Sequence, residues 1–154
     1  TKYTTLKLGM FALERMTRIA EDSVAGMVYA DHYQVSEGIQ KNAPVIDYQF
    51  GSLRDDFNFG SVLLYKASAL QEAVTRMKTD YQFAGLYDLR LKLSQKESLV
   101  HINEYLYSEI ENDTRKSGEK IFDYVDPKNR GVQIEMEQAC TIASVPSRMP
   151  SVRY

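Results

Sequence analysis

The sequence predicts an α/β domain: a sheet of three to five strands with helices packed against it. Three observations predict it. The apolar run Ala25-Gly26-Met27-Val28-Tyr29-Ala30 leads straight into Asp31, as in a strand buried on both faces. Two more such runs follow, at Ser61–Tyr65 and Leu99–Tyr107. The segments before and between them repeat apolar residues at three- and four-residue steps, the period of an amphipathic helix. Helical and strand patterns that alternate along one chain indicate α/β architecture.

Taken in order, Leu6, Met10, Leu13, Met16 and Ala20 form one stripe, with Glu14, Arg15, Arg18 and Glu21 largely off it. This predicts a helix from residue 6 to about Asp22-Ser23 that feeds the strand ending at Asp31. A helix entering a buried strand is half of a βαβ unit, whose first strand is expected to lie before residue 1. Residues 34–50 carry turn chemistry at Glu37-Gly38 and Ala43-Pro44, and Val45–Phe50 alternates weakly like an edge strand. Gly51–Gly60 is a loop dense in charge and glycine. After the strand at 61–65, a helix is expected over Lys66–Lys78, with Ala69, Leu70, Ala73, Val74 and Met77 inward. Leu86–Leu93 fits either period and is read as a helix, because a strand there needs its own turn into Val100. Beyond the strand at 99–107, Asn112–Gly118 reads as a polar loop. Ile121–Val125 and Val132–Ile142 read as helical pieces, and the last residues, 143–154, as a frayed tail. The organised domain therefore covers residues 1–142.

Composition narrows the class. With 154 residues, 44% hydrophobic and 26% charged, the chain has the material for one globular domain. A net charge of -2 argues against a general nucleic-acid binder, and no apolar run reaches the roughly 18 residues of a membrane span. One cysteine, Cys140, allows neither an internal disulfide nor a multi-cysteine zinc site, and reads as a small buried hydrophobe in a reducing, cytoplasmic setting. The start at Thr1, without methionine or signal peptide, suggests a fragment of a longer chain.

The chemistry-bearing residues fall into clusters. Asp31, expected at the carboxyl edge of its strand, stands where α/β sheets bind ligands; a carboxylate there can hold a cation and phosphate oxygens, or merely cap a turn. His32 follows it and reads more readily as a packing or solvent-facing residue than as a ligand. Arg54, Asp55 and Asp56 sit in the glycine-flanked loop, where an arginine can grip phosphate beside an acid or base, or pair with its neighbours. Asp88 is either a base or the partner of Lys92 four residues on. His101 lies in an apolar strand and reads as a core histidine. No nucleotide phosphate loop, dinucleotide fingerprint, zinc-protease motif or nucleophile elbow is present.

Together the segments resemble the later half of the family 2 glycosyltransferases, which use nucleotide-sugar donors on the Rossmann-like GT-A fold. Val28–Tyr33 resembles that family's metal- and nucleotide-binding aspartate strand. Phe59–Lys66 followed by Ser68-Ala69-Leu70 is similar to its acceptor-side strand and helix. Tyr87–Leu93 resembles the helix after its catalytic Glu-Asp pair, and Val100–Tyr107 the strand that follows. The likeness runs from about residue 6 to residue 142.

The resemblance implies sugar transfer from a nucleotide-diphosphate donor to a carbohydrate or lipid-linked acceptor hydroxyl, with inversion. It implies Mg²⁺ or Mn²⁺ at Asp31, donor contacts from Asp31 and Arg54, and a base drawn from Asp55, Asp56 or Asp88. It also implies a place in polysaccharide synthesis at the inner face of the membrane. Two departures stand out. Tyr33 occupies the place of the usual second acid, and Gly85-Leu86 the place of the Glu-Asp pair. Both favour an alternative, a non-catalytic α/β binding module or degenerate transferase.

Overall fold

In a computed structural model, residues 4–112 and 129–144 are described. They form β1 (Thr4–Leu8), α1 (Ala12–Ser23), β2 (Met27–Ser36), β3 (Ile39–Ala43), β4 (Leu63–Tyr65), α2 (Ala67–Arg76), α3 (Gly85–Ser94), β5 (Leu99–Glu111) and α4 (Asn129–Ser144). The strands make one mixed open sheet in the order β1-β5-β2-β3, with β4 also paired to β2. Among the described residues only β2 and β5 run parallel; β1–β5, β2–β3 and β2–β4 are antiparallel. Helices lie on both faces, an arrangement compatible with a Rossmann-like fold. No helix among the described residues is long and apolar enough to cross a membrane.

The alternation of β2 sorts the core. Met27 and Tyr29 face Ala69 and Ala73 of α2, Tyr87, Leu91 and Leu93 of α3, and Ala139 of α4. Val28 and Ala30 face the other way, with Met16 of α1 and Ile102 of β5. Successive residues of one strand thus enter two separate apolar clusters, which is why the run from Ala25 to Ala30 contains nothing polar beyond the Tyr29 hydroxyl.

Several expectations are corrected. The first helix does not begin at residue 6: Thr4–Leu8 is a strand, because Thr-Thr-Leu-Lys-Leu alternates and pairs with Tyr107–Glu111. The helix starts after Phe11, whose φ of 59° ends the extended segment. β1 is antiparallel to β5 and β5 parallel to β2, so β1-α1-β2 is not a parallel crossover unit. Val45–Phe50 is not a strand. The edge strand is Ile39–Ala43, joined to β2 by the two-residue turn Glu37-Gly38 with φ of 52° and 76°, the left-handed pair that hairpins favour. Pro44 has no amide hydrogen to continue the ladder. Leu86–Leu93 is helical as expected, within α3. Cys140 is exposed and does not fill the core; Ala139 takes that place. The expected loop at 113–118, the helical piece at 121–125 and the tail from 145 lie outside the described residues.

Asp31 departs from its expected position too. β2 continues to Ser36, so Asp31 stands inside a ten-residue strand. The register against β5 breaks there: Ala30 pairs with Ile102, Asp31 with Tyr105 and His32 with Tyr107. Extra residues on β5 at such a break re-aim side chains, and bulges of this kind are common beside functional sites.

Candidate functional site

Asp31 is the residue the site is built on. It is 1% exposed. Its Oδ1 accepts the backbone N–H of Val45 at 2.9 Å and lies 2.7 Å from His101 Nε2. The imidazole of His101 is buried and stacks on Tyr29, centroids 5.1 Å apart with 15° between the planes. Its other nitrogen, Nδ1, lies 2.5 Å from Asp47 Oδ1. His101 is thus a core histidine by burial but is held between two carboxylates. One of them is buried; the other, Asp47, has a side chain 83% exposed.

Asp47 belongs to a strap, residues 44–49, that crosses this face of the sheet. Tyr29 pins it: the phenol donates to Ile46 O and accepts from Tyr48 N–H, both at 2.8 Å. Burial pushes the Tyr29 phenol up to about 12, even though the Tyr48 N–H bond favours its ionised form, so it remains the hydroxyl that both contacts need. Phe59 meets the Tyr29 ring edge-on at 4.9 Å and closes the remaining side.

Beside the strap is a cavity of about 690 Å³, and Asp47, Gln49, Ser52, Arg54, Asp56 and Asn58 line it. Arg54 Nε lies 3.3 Å from Asp56 Oδ1, both largely exposed. Of the residues singled out in the sequence, the structure therefore pairs Arg54 with Asp56 in a cavity that Asp47 also lines, while Asp31, linked to Asp47 through His101, does not line it. Asp55 is exposed in the same loop but does not line the cavity. Asp88 is elsewhere: 2% exposed, it pairs with Lys92 at 3.2 Å beside a separate cavity lined by Arg76 and Gln95. Arg90 stacks on Phe59, its guanidinium carbon 5.3 Å from the ring centre.

Among the described residues, no three His, Cys, Asp or Glu side chains converge to hold a metal ion. His101 separates Asp31 from Asp47, and Tyr33 stacks on Tyr105 without adding an acid. Asp31 Oδ2 is buried and has no hydrogen-bond partner, which leaves it as a candidate ligand for a cation, and Asp31 does not line the cavity beside the strap. That donor set suits an ion held mainly by phosphate oxygens and water, as Mg²⁺ commonly is.

His32 is 1% exposed and stacks on Tyr107 at 5.0 Å, with Glu109 3.6 Å from its Nε2. It packs, and its ring lies apart from the Asp31–His101 contact. Gly60, at φ 78°, allows the loop to pass over this pair; a Cβ there would collide with the Tyr107 hydroxyl.

Sequence reasoning missed Asp47. Its signal in the sequence is the acid that interrupts Val45-Ile46 and Tyr48, where the alternation also fits an edge strand. No family model matches the chain, and no curated protein shows significant similarity to it.

Proposed function

We propose that this chain belongs to a GT-A-like glycosyltransferase and moves a sugar from a nucleotide-diphosphate donor to an acceptor hydroxyl, with inversion. One observation carries the reading: the 690 Å³ cavity gathers Arg54, Asp56 and Asp47, and His101 ties Asp47 to the buried Asp31. Ligand pockets of small molecules span about 300–1,000 Å³, so the volume accommodates a sugar diphosphate. Arg54 exchanges its exposed partner Asp56 for the diphosphate, whose oxygens match the guanidinium fork and gather charge as the glycosidic bond breaks. Mg²⁺ or Mn²⁺, bound with the diphosphate at Asp31 Oδ2, would neutralise that same charge. The acceptor, carbohydrate or lipid-linked, lends its hydroxyl from the opposite side of the anomeric carbon.

Calorimetry with UDP and with GDP, each with and without Mn²⁺, tests the reading. The full chain binds one of them, and Arg54→Ala weakens that binding about tenfold, or ~1.4 kcal/mol. A chain that binds neither nucleotide under either condition sinks the proposal.

A second reading has its own observation. Asp31 Oδ1 is already occupied by Val45 N–H and His101, so Asp31 serves as the pin of the strap in a binding module without chemistry. Asp31→Asn separates the two. Lost Mn²⁺-dependent heat supports the donor role; unchanged Mn²⁺-dependent heat supports the pin.

A further inference from the structure

We propose that Asp47 is the catalytic base of the transfer and that His101, backed by Asp31, is its positioning residue. This rests on the sugar-transfer reading above and names the group that reading leaves open. The place where the family resemblance expects a base holds Gly85-Leu86, with no acid. A base must therefore come from a carboxylate that faces the cavity, is open to a substrate and is fixed in position, since misplacement of about 1 Å can cost a hundredfold in rate.

The described acids differ on these three counts. Asp88 is buried in its pair with Lys92 and opens on a different cavity. Asp56 is in the cavity, but the partner that holds it, Arg54, is itself largely exposed. Asp55 does not line the cavity. Asp47 alone lines it, is 83% exposed and is held by a buried group, His101, through Oδ1. The ring of His101 is fixed in turn by the Tyr29 stack and by Asp31 at its far nitrogen. Buried acid, imidazole and outward carboxylate thus form one chain of contacts that holds the reacting side chain in place.

In the step, Asp47 Oδ2 takes the proton of the acceptor O–H as the acceptor oxygen bonds to the anomeric carbon. The bond from that carbon to the donor phosphate oxygen breaks, and its electron pair leaves on the nucleoside diphosphate. Asp47 then returns the proton to water.

The test uses the full chain with a panel of UDP-, GDP- and dTDP-sugars, water serving as acceptor, and reads nucleoside diphosphate release. Asp47→Asn lowers kcat about 10²–10³-fold with donor KM unchanged. The same change at Asp55 or Asp56 lowers it less. His101→Ala lowers kcat about tenfold, and His101→Asn, whose amide can donate from the Nδ1 side, recovers part of the loss. A merely structural role would instead lower the melting temperature, with no recovery in the Asn variant. If the wild type turns over and Asp47→Asn keeps its kcat, the base assignment falls and the sugar-transfer reading stands. A wild type that binds a nucleoside diphosphate but releases none from any donor overturns the catalytic role and leaves the binding module. A wild type that neither binds nor releases overturns both.

Discussion

At the scale of the residue, Tyr29 shows how one side chain can organise a neighbourhood. Its ring fills the core beneath α2 and α3, and its hydroxyl emerges under the strap, where it meets a carbonyl and an amide at once. Tyr29→Phe keeps the ring and removes both contacts, leaving Ile46 O and Tyr48 N–H without their partner. The expected loss is about 1–3 kcal/mol, read as a lower urea midpoint at unchanged m-value. Residues of this kind are hard to read in a sequence. Tyr29 and Asp31 were visible as members of a buried strand, but their partners Val45, Ile46, Tyr48 and His101 lie 14 to 70 positions away along the chain. Nothing in local periodicity reports which distant groups will meet a buried polar atom.

At the scale of the element, the helices dock through their ends as well as their faces. Helix α3 begins without a side-chain cap of its own. Glu135 of α4 instead grips the turn that leads into it, accepting the backbone N–H groups of Phe83 at 2.7 Å, Ala84 at 3.1 Å and Gln82 at 3.3 Å. Those bonds, that of Phe83 foremost, hold the Glu135 carboxyl below its ordinary 4.5. A depressed carboxylate contributes stability that is present above its unfolded value and disappears as pH falls through the folded value. Glu135→Gln therefore lowers the melting temperature at pH 7, and the gap from wild type narrows in melts taken below pH 4. The helices were the legible elements: α2 and α4 lie close to the predicted spans because each carries several turns of an apolar stripe, and α3 does so although its buried residues, Tyr87, Asp88 and Leu91–Ser94, form no single stripe. Among the short strands β4 was legible, within the predicted run 61–65, whereas β1 and β3 were not. Thr4–Leu8 shares Leu6 with a helical stripe, and only its pairing with β5 decides between the two periods.

At the scale of the molecule, the sheet divides the core into two apolar clusters. Val28 belongs to the α1 side and Leu93 to the side of α2, α3 and α4; both are 0% exposed. Val28→Ala and Leu93→Val each cost about 1–2 kcal/mol. Because the clusters share no members, a double-mutant cycle by urea denaturation gives a coupling below about 0.5 kcal/mol. The α/β class was legible from the alternation of patterns. The mixed pairing was not, since strand order depends on contacts that no single segment encodes.

The pairing scheme also bears on how the chain reaches its fold during synthesis. Both β1 and β2 find their longest partner in β5, which begins only at Leu99. Until that strand leaves the ribosome, Met27–Tyr29 can use only the short β4 pairing, and one side of β2 stays unpaired. Loop closure over some 70 residues precedes any reward from the parallel pair. The centre of the sheet is thus completed only once β5 has been made, and until then the nascent chain carries its most apolar strand half-paired.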